Sequence, residues 1–246
     1  MKSNLRKIEI IMFCIMVMLL TSCKKSDSDL EMVEIPDTSI LIGKTEVTQE
    51  LYEKIMGENP SLYKGKNRPV ECVSWFDAIY FCNKLSESFG FTPVYSVYGE
   101  TKPERWGYEP HNNKSIRGKI TQNFDANGFR LPTLVEWGYA ARGGQSFKYA
   151  GSDILDEVGW YKENSGDRTH PVARKKENGY GLYDMSGNVW EWCWDVHQDY
   201  INFRCIRGGG YDYGDRDCEV VYRNHGTRDD FWGSFIGFRV VCSASE

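Results

Sequence analysis

The sequence predicts an α+β fold with little regular secondary structure. Three observations lead there. Only three stretches carry helix signals, and each is short. Two long stretches, 91–128 and 145–180, are weakly periodic and rich in Gly, Asn, Lys, Tyr and Ser. Residues 181–192, Gly-Leu-Tyr-Asp-Met-Ser-Gly-Asn-Val-Trp-Glu-Trp, pack two Trp, two acids, two Gly and an Asn into twelve positions. No helical or strand period fits that density, so the run reads as a tight loop pinned between aromatic anchors.

The elements follow in order. A short strand is expected at 32–35. Thr48 N-caps a helix carrying Leu51, Tyr52, Ile55 and Met56, stopped by Gly57 and Pro60. Ser74 with Asp77 resembles a capping box, with Asp in place of the usual Glu or Gln. Ala78, Phe81, Cys82 and Leu85 follow at helical spacing. Thr133 with Glu136 is a full capping box ahead of Trp137, Ala140 and Ala141, and Gly143-Gly144 stops that helix. Two of the three helices therefore end on a glycine. Further short strands are expected at 205–208 and 238–242.

The first residues read as an export signal. Lys2, Arg6 and Lys7 form a positive start, and residues 10–20 are apolar but short for a bilayer. Leu20-Thr21-Ser22-Cys23 resembles a bacterial lipobox, in which cleavage leaves Cys23 as the lipidated N-terminus; an ordinary signal peptide, or a short anchor with an incidental Cys, is the other reading. The organisation is then a lipoprotein signal at 1–22, lipidated Cys23 and a polar tether at 23–31, and one domain at 32–246. Acyl chains would tie the protein to a membrane, on the outer surface of the cell envelope. A net charge of −5 without basic clusters argues against a nucleic-acid partner. Cys72, Cys82, Cys193, Cys205, Cys218 and Cys242 remain beyond the leader and Cys23. They permit disulfides in an exported chain, or serve as small apolar core residues.

Six motifs run in order along the domain: Glu46-Val47-Thr48-Gln49-Glu50-Leu51-Tyr52; Pro69-Val70-Glu71-Cys72-Val73-Ser74-Trp75; Gly128-Phe129-Arg130-Leu131-Pro132-Thr133 with Glu136-Trp137; the 181–192 run; Arg207-Gly208-Gly209-Gly210; and Gly237-Phe238-Arg239-Val240-Val241. Together they resemble the formylglycine-generating-enzyme type of C-type lectin-like fold, which agrees with the long irregular stretches. In that frame Glu71, Asp184, Arg130 and Arg239 would tie loops together by charge-assisted hydrogen bonds. Gly208 and Gly209 would allow close backbone approach or positive φ. Trp75, Trp137, Trp190 and Trp192 would fill the core.

The resemblance also implies a structural calcium. Its ligands would be the Asp184 side chain, the carbonyls of Gly187 and Val189, and Glu191, all hard oxygen donors. The alternative is that Asp184 and Glu191 accept backbone hydrogen bonds and hold the loop without metal. A second calcium loop is not identifiable within 155–170.

The enzymes of this family use two cysteines near the Arg-Gly-Gly motif as soft thiolate ligands to copper. The second matches Cys218, but the first falls on Tyr213, and a phenol cannot replace a thiolate. The four histidines, His111, His170, His197 and His225, are scattered and offer no H-x-x-x-H iron pattern. The sequence therefore argues against an enzyme. A formylglycine-generating oxidase or related enzyme, and a structural envelope lipoprotein, are the alternatives.

Residues 205–241 instead resemble the variable region of diversity-generating retroelement proteins. Arg-Gly-Gly, a variable run, Cys and Tyr-Arg are followed by a second variable run and Ile-Gly-Phe-Arg. Adenine scrambling of Asn codons yields the residue mixture found in those runs, Trp232 excepted. The candidate ligand-binding positions of the first run are Tyr211, Asp212, Tyr213, Gly214, Arg216, Asp217 and Glu219. Those of the second are His225, Thr227, Asp230, Phe231, Trp232, Ser234 and Phe235. Rigid aromatics with Gly, Ser and Asp suit a recognition surface; the competing reading is that the aromatics, Phe235 above all, plug the domain's own core. The expected partner is a protein on another cell or host surface, with carbohydrate as the other candidate.

Overall fold

The three expected helices form where their caps set them. In α1 (Gln49–Met56) the Thr48 hydroxyl accepts from the Leu51 N–H. Both α2 (Trp75–Phe89) and α3 (Leu134–Arg142) start with a capping box bonded in both directions, Ser74 with Asp77 and Thr133 with Glu136. All three helices, not two, end on a left-handed glycine, because α2 runs past Leu85 to a stop at Gly90. A fourth helix, α4 (Leu155–Val158), interrupts the stretch expected to be irregular.

The computed structural model describes residues 29–112, 114–222 and 226–244. The leader, Cys23, most of the tether and His225 lie outside these residues. The described residues form three sheets. The first has the order β1 (Met32–Glu34), β2 (Ile40–Gly43), β9 (Val241–Ser243), all antiparallel. It joins the two ends of the described chain. The second pairs β3 (Tyr95–Val97) with β4 (Ile120–Gln122). The third has the order β7 (Thr227–Arg228), β6 (Tyr200–Arg207), β5 (Trp190–His197), β8 (Ile236–Gly237), with β8 parallel to β5. The overall class is α+β, as expected.

Three strand expectations need correction. The run 181–192 is a loop only to Val189, since β5 starts at Trp190. Its first four residues are buried, so no polar alternation marks it as a strand. The strand expected at 205–208 is the end of the longer β6. That expected at 238–242 is realised only at its end, in β9; residues 238–240 link β8 to β9 without being strand, and Arg239 turns inward there.

Two of the three buried clusters among the described residues fill the space between these elements. The larger takes Trp75 and Phe81 of α2, Trp190 and Trp192 of β5, and Phe238. The smaller lies under α3 and takes Trp137, Ala140, Cys193, Cys205 and Val241. The four expected tryptophans are all fully buried. The indole N–H of Trp75 donates to Cys193 O at 3.0 Å and that of Trp192 to Val73 O at 2.9 Å, which offsets the cost of burying them.

Candidate functional site

The motif loops meet around one buried ion pair. Arg239 donates from Nε to Glu191 Oε2 and from Nη2 to Glu191 Oε1, both at 2.6 Å. Its remaining donors reach the carbonyls of Gly43 and Tyr183. Trp137 Nε1–H donates to the same Glu191 Oε2 at 2.7 Å. Both partners are fully buried, so the pair stands only because its polar atoms are so well satisfied. Arg130 makes a second fork to Glu136, and Glu71 accepts from the Tyr63 N–H. These are the loop ties expected of Arg239, Arg130 and Glu71.

Among the expected calcium donors, Asp184 keeps one buried oxygen, Oδ1, with no hydrogen-bond partner among the described residues. Glu191 has both oxygens committed to a guanidinium, which already supplies the neutralising cation. Asp184 accepts from the Ala173 N–H through Oδ2. Gly187 is packed against Trp160, whose carbonyl oxygen would lie 2.3 Å from an added Cβ, and its N–H donates to Gly208 O. Val189 is wholly buried. Among the described residues no group of three or more His, Cys, Asp or Glu side chains could hold a metal ion. Protein contacts brace the loop, chiefly through Asn188. Its side chain accepts from His170 N–H, and its carbonyl accepts from Tyr211 N–H.

Cys218 is buried beside Tyr149, Leu155 and Val158, and burial pushes its thiol pKa well up. A thiol so placed is not a reactive thiolate. Its Sγ lies 2.6 Å from where a Cβ on Gly209 would sit, and Gly209 has φ +79°. That contact explains the glycine. Tyr213, at the position that the resemblance gives to the first thiol, packs edge-on against Trp190 at 5.3 Å and against Phe235 at 5.5 Å. The described histidines are dispersed: His170 stacks on Trp160 at 3.8 Å, His111 bonds Tyr52, and His197 stacks on Tyr200.

The candidate ligand positions separate into pillars and surface. Tyr211 is a correction: it is buried, because its hydroxyl bonds Ser234 Oγ at 2.9 Å, its ring meets Tyr63 at 5.5 Å, and its carbonyl accepts from Ser165 Oγ. Phe235 is half-buried between Tyr213 and Phe231. Gly214, Asp217 and Ser234 are also half-buried, as are Glu219, which pairs with Lys148, and Thr227. Asp212 and Arg216 are exposed. Phe231 is 36% and Trp232 47% exposed. Asp230 holds Arg228 in a fork at 2.9 and 2.6 Å.

The exposed loop has a fixed backbone. Gly233 O accepts from Cys72 N–H, Phe235 O from Trp190 N–H, and Asp229 O from Trp75 N–H. Residues outside 205–241 therefore belong to the site: Tyr63, Ser165 and Asn188 support it, and exposed Leu62 lies beside Tyr63. No local sequence signal marks them, because their roles depend on partners far along the chain.

Comparison with known proteins agrees with this frame. Residues 27–244 match the family described as Sulfatase-modifying factor enzyme 1-like domain. A protein of Paenibacillus barcinonensis named chaperone protein LppX is 39% identical over 226 residues, covering 81% of this chain and 79% of its own. The solved structure of Treponema denticola variable protein 1 superposes with a TM-score of 0.73 at 34% identity, covering 87% of this chain and 92% of that one. The formylglycine-generating enzyme of Streptomyces coelicolor is 34% identical over 150 residues, 48% of each chain.

Proposed function

The chain belongs to the sulfatase-modifying factor enzyme 1-like domain family, and because Tyr213 stands where the oxidases need a thiol, we propose that it is a non-enzymatic ligand-binding member. Recognition falls to Asp212, Arg216, Asp230, Phe231 and Trp232. The observation that carries this reading is the exposure of Phe231 and Trp232 on a loop bonded to the frame at Cys72, Trp75 and Trp190. An apolar patch held rigidly in water marks a contact surface, and a preordered loop loses little entropy on binding. The ligand is a protein surface, which suits aromatics set among Asp and Arg.

In the finer form of the proposal, residues 205–241 are diversified by a retroelement, and lipid on Cys23 displays the protein on the cell envelope. The likeness to a solved variable protein supports the first part. Reading the codons for 205–241 in sister isolates tests it. A near-copy that differs only at adenines and lies beside a reverse transcriptase is expected. Identical 211–235 in all sisters, with no such copy, would reject diversification. For the non-enzymatic part, oxidation of a cysteine peptide in the presence of copper should give no formylglycine. Product formed by the wild-type chain and lost in a folded Cys218→Ser variant would also overturn the structural role of that thiol.

The relative named a chaperone favours a second reading, in which the same exposed aromatics hold unfolded chains. Suppression of aggregation of a denatured protein, lost in Phe231→Ser/Trp232→Ser, would select it.

A further inference from the structure

We propose that Cys193 and Cys205 form a cross-strand disulfide when the chain folds in an oxidising compartment. β5 and β6 pair Glu191 with Arg207 and Trp192 with Ile206. One step further in that register sets Cys193 opposite Cys205. Side chains alternate between the two faces of a strand. Glu191 and Arg207 both turn to Trp137, one accepting its indole N–H and the other lying over its ring. Trp192 and Ile206 enter the larger core on the opposite face. Cys193 and Cys205 therefore point the same way, and both are buried in the smaller core under α3. None of the other four described cysteines lies in that core.

Opposed residues in an antiparallel pair have Cβ atoms about 4.5–5.5 Å apart, and a disulfide needs about 3.5–4.5 Å. The strands must close by a small amount. The ladder supplies the freedom, because its register shifts between Trp192 and Val196. The structure shows the pair reduced. In the folded chain it would stay so: burial raises the Cys193 thiol far above its ordinary value, with Cys205 among the contributing neighbours. Thiolates, not thiols, attack disulfides, so the bond forms before the hairpin packs beneath α3. One cysteine loses its proton and attacks a sulfur of a disulfide-bearing oxidant, a thiol oxidoreductase or glutathione disulfide. The second, also deprotonated, displaces the oxidant from the mixed disulfide. Two electrons pass to the oxidant, which leaves as two thiols. The new bond clamps the hairpin next to Arg207-Gly208-Gly209-Gly210, where the site begins.

The test is to unfold the full chain and refold it with glutathione disulfide. The soluble, cooperatively melting fraction is alkylated in denaturant without reductant, digested and mapped by mass spectrometry. The expected product is a joined peptide pair carrying Cys193 and Cys205, lighter by two hydrogens than the separate peptides. Refolding with a reductant should lower the melting temperature by roughly 5–10 °C. In Cys205→Ala, Cys193 should become alkylated while the labelling of the other cysteines is unchanged. Alkylation of both residues in the wild-type chain, or linkage of either to a different cysteine, would overturn the proposal. The wild-type map decides even if the variant does not fold.

Discussion

Asp184 sits at φ +58° with Oδ2 bonded to Ala173 and Oδ1 buried without a hydrogen-bond partner among the described residues. Burial pushes its pKa up to about 6, despite the Ala173 hydrogen bond and the nearby Arg239. Glu46, buried with both oxygens unpartnered, is raised by the same cause, then by Asp184 and Glu191. For a carboxyl raised in the native state, the stabilising contribution is complete below the unfolded value near 3.8. It is lost as pH rises through about 6. Asp184→Asn keeps an acceptor for Ala173, removes the buried charge and tolerates the left-handed backbone. It should stabilise the protein by about 1–3 kcal/mol near neutral pH, with the gain vanishing near pH 4 in urea titrations. Arg239→Met leaves Glu191 buried and uncompensated, and should cost about 3–5 kcal/mol. An unchanged urea midpoint would contradict the ion pair's place as the frame's centre.

Elements were legible in proportion to how local their signals are. The Ser74–Asp77 and Thr133–Glu136 boxes span four residues each and appear as read. Replacing Thr133 by Ala should cost about 1 kcal/mol by thermal melting. β5 escaped because Trp190, Trp192 and Cys193 are all buried, which erases alternation. β3 and β4, three residues each, are too short to show a period. The glycines of the Arg-Gly-Gly turn were legible, but not their cause, which is the Cys218 sulfur pressed against Gly209. Gly209→Ala should destabilise by roughly 2 kcal/mol or more, from strained φ and overpacking together. The loop at 184–191 is tied by Arg239 and Asn188, so a chelator or added calcium should leave the melting temperature unchanged. A rise of several degrees with calcium would select the metal reading.

Across the whole molecule, the N-terminal and C-terminal strands share one sheet, and the two cores enclose the ion pair that holds the loops. The family frame was legible from six ordered motifs. Which residues of 211–235 face water was not. Tyr211 and Trp232 look alike in sequence, yet Tyr211 is sealed by Tyr63, Ser165 and Ser234 while Trp232 is open. On the proposed reading, a surface free to change sits on a frame that is not. Protease resistance of a saturation library over 205–241 tests this most directly. Positions 212, 216, 231 and 232 should accept nearly every residue with stability changes within about 0.5 kcal/mol, whereas 209, 211, 218, 237 and 239 should accept few. Unfolding on most substitutions at 231 and 232, or broad tolerance at 211 and 239, would contradict it.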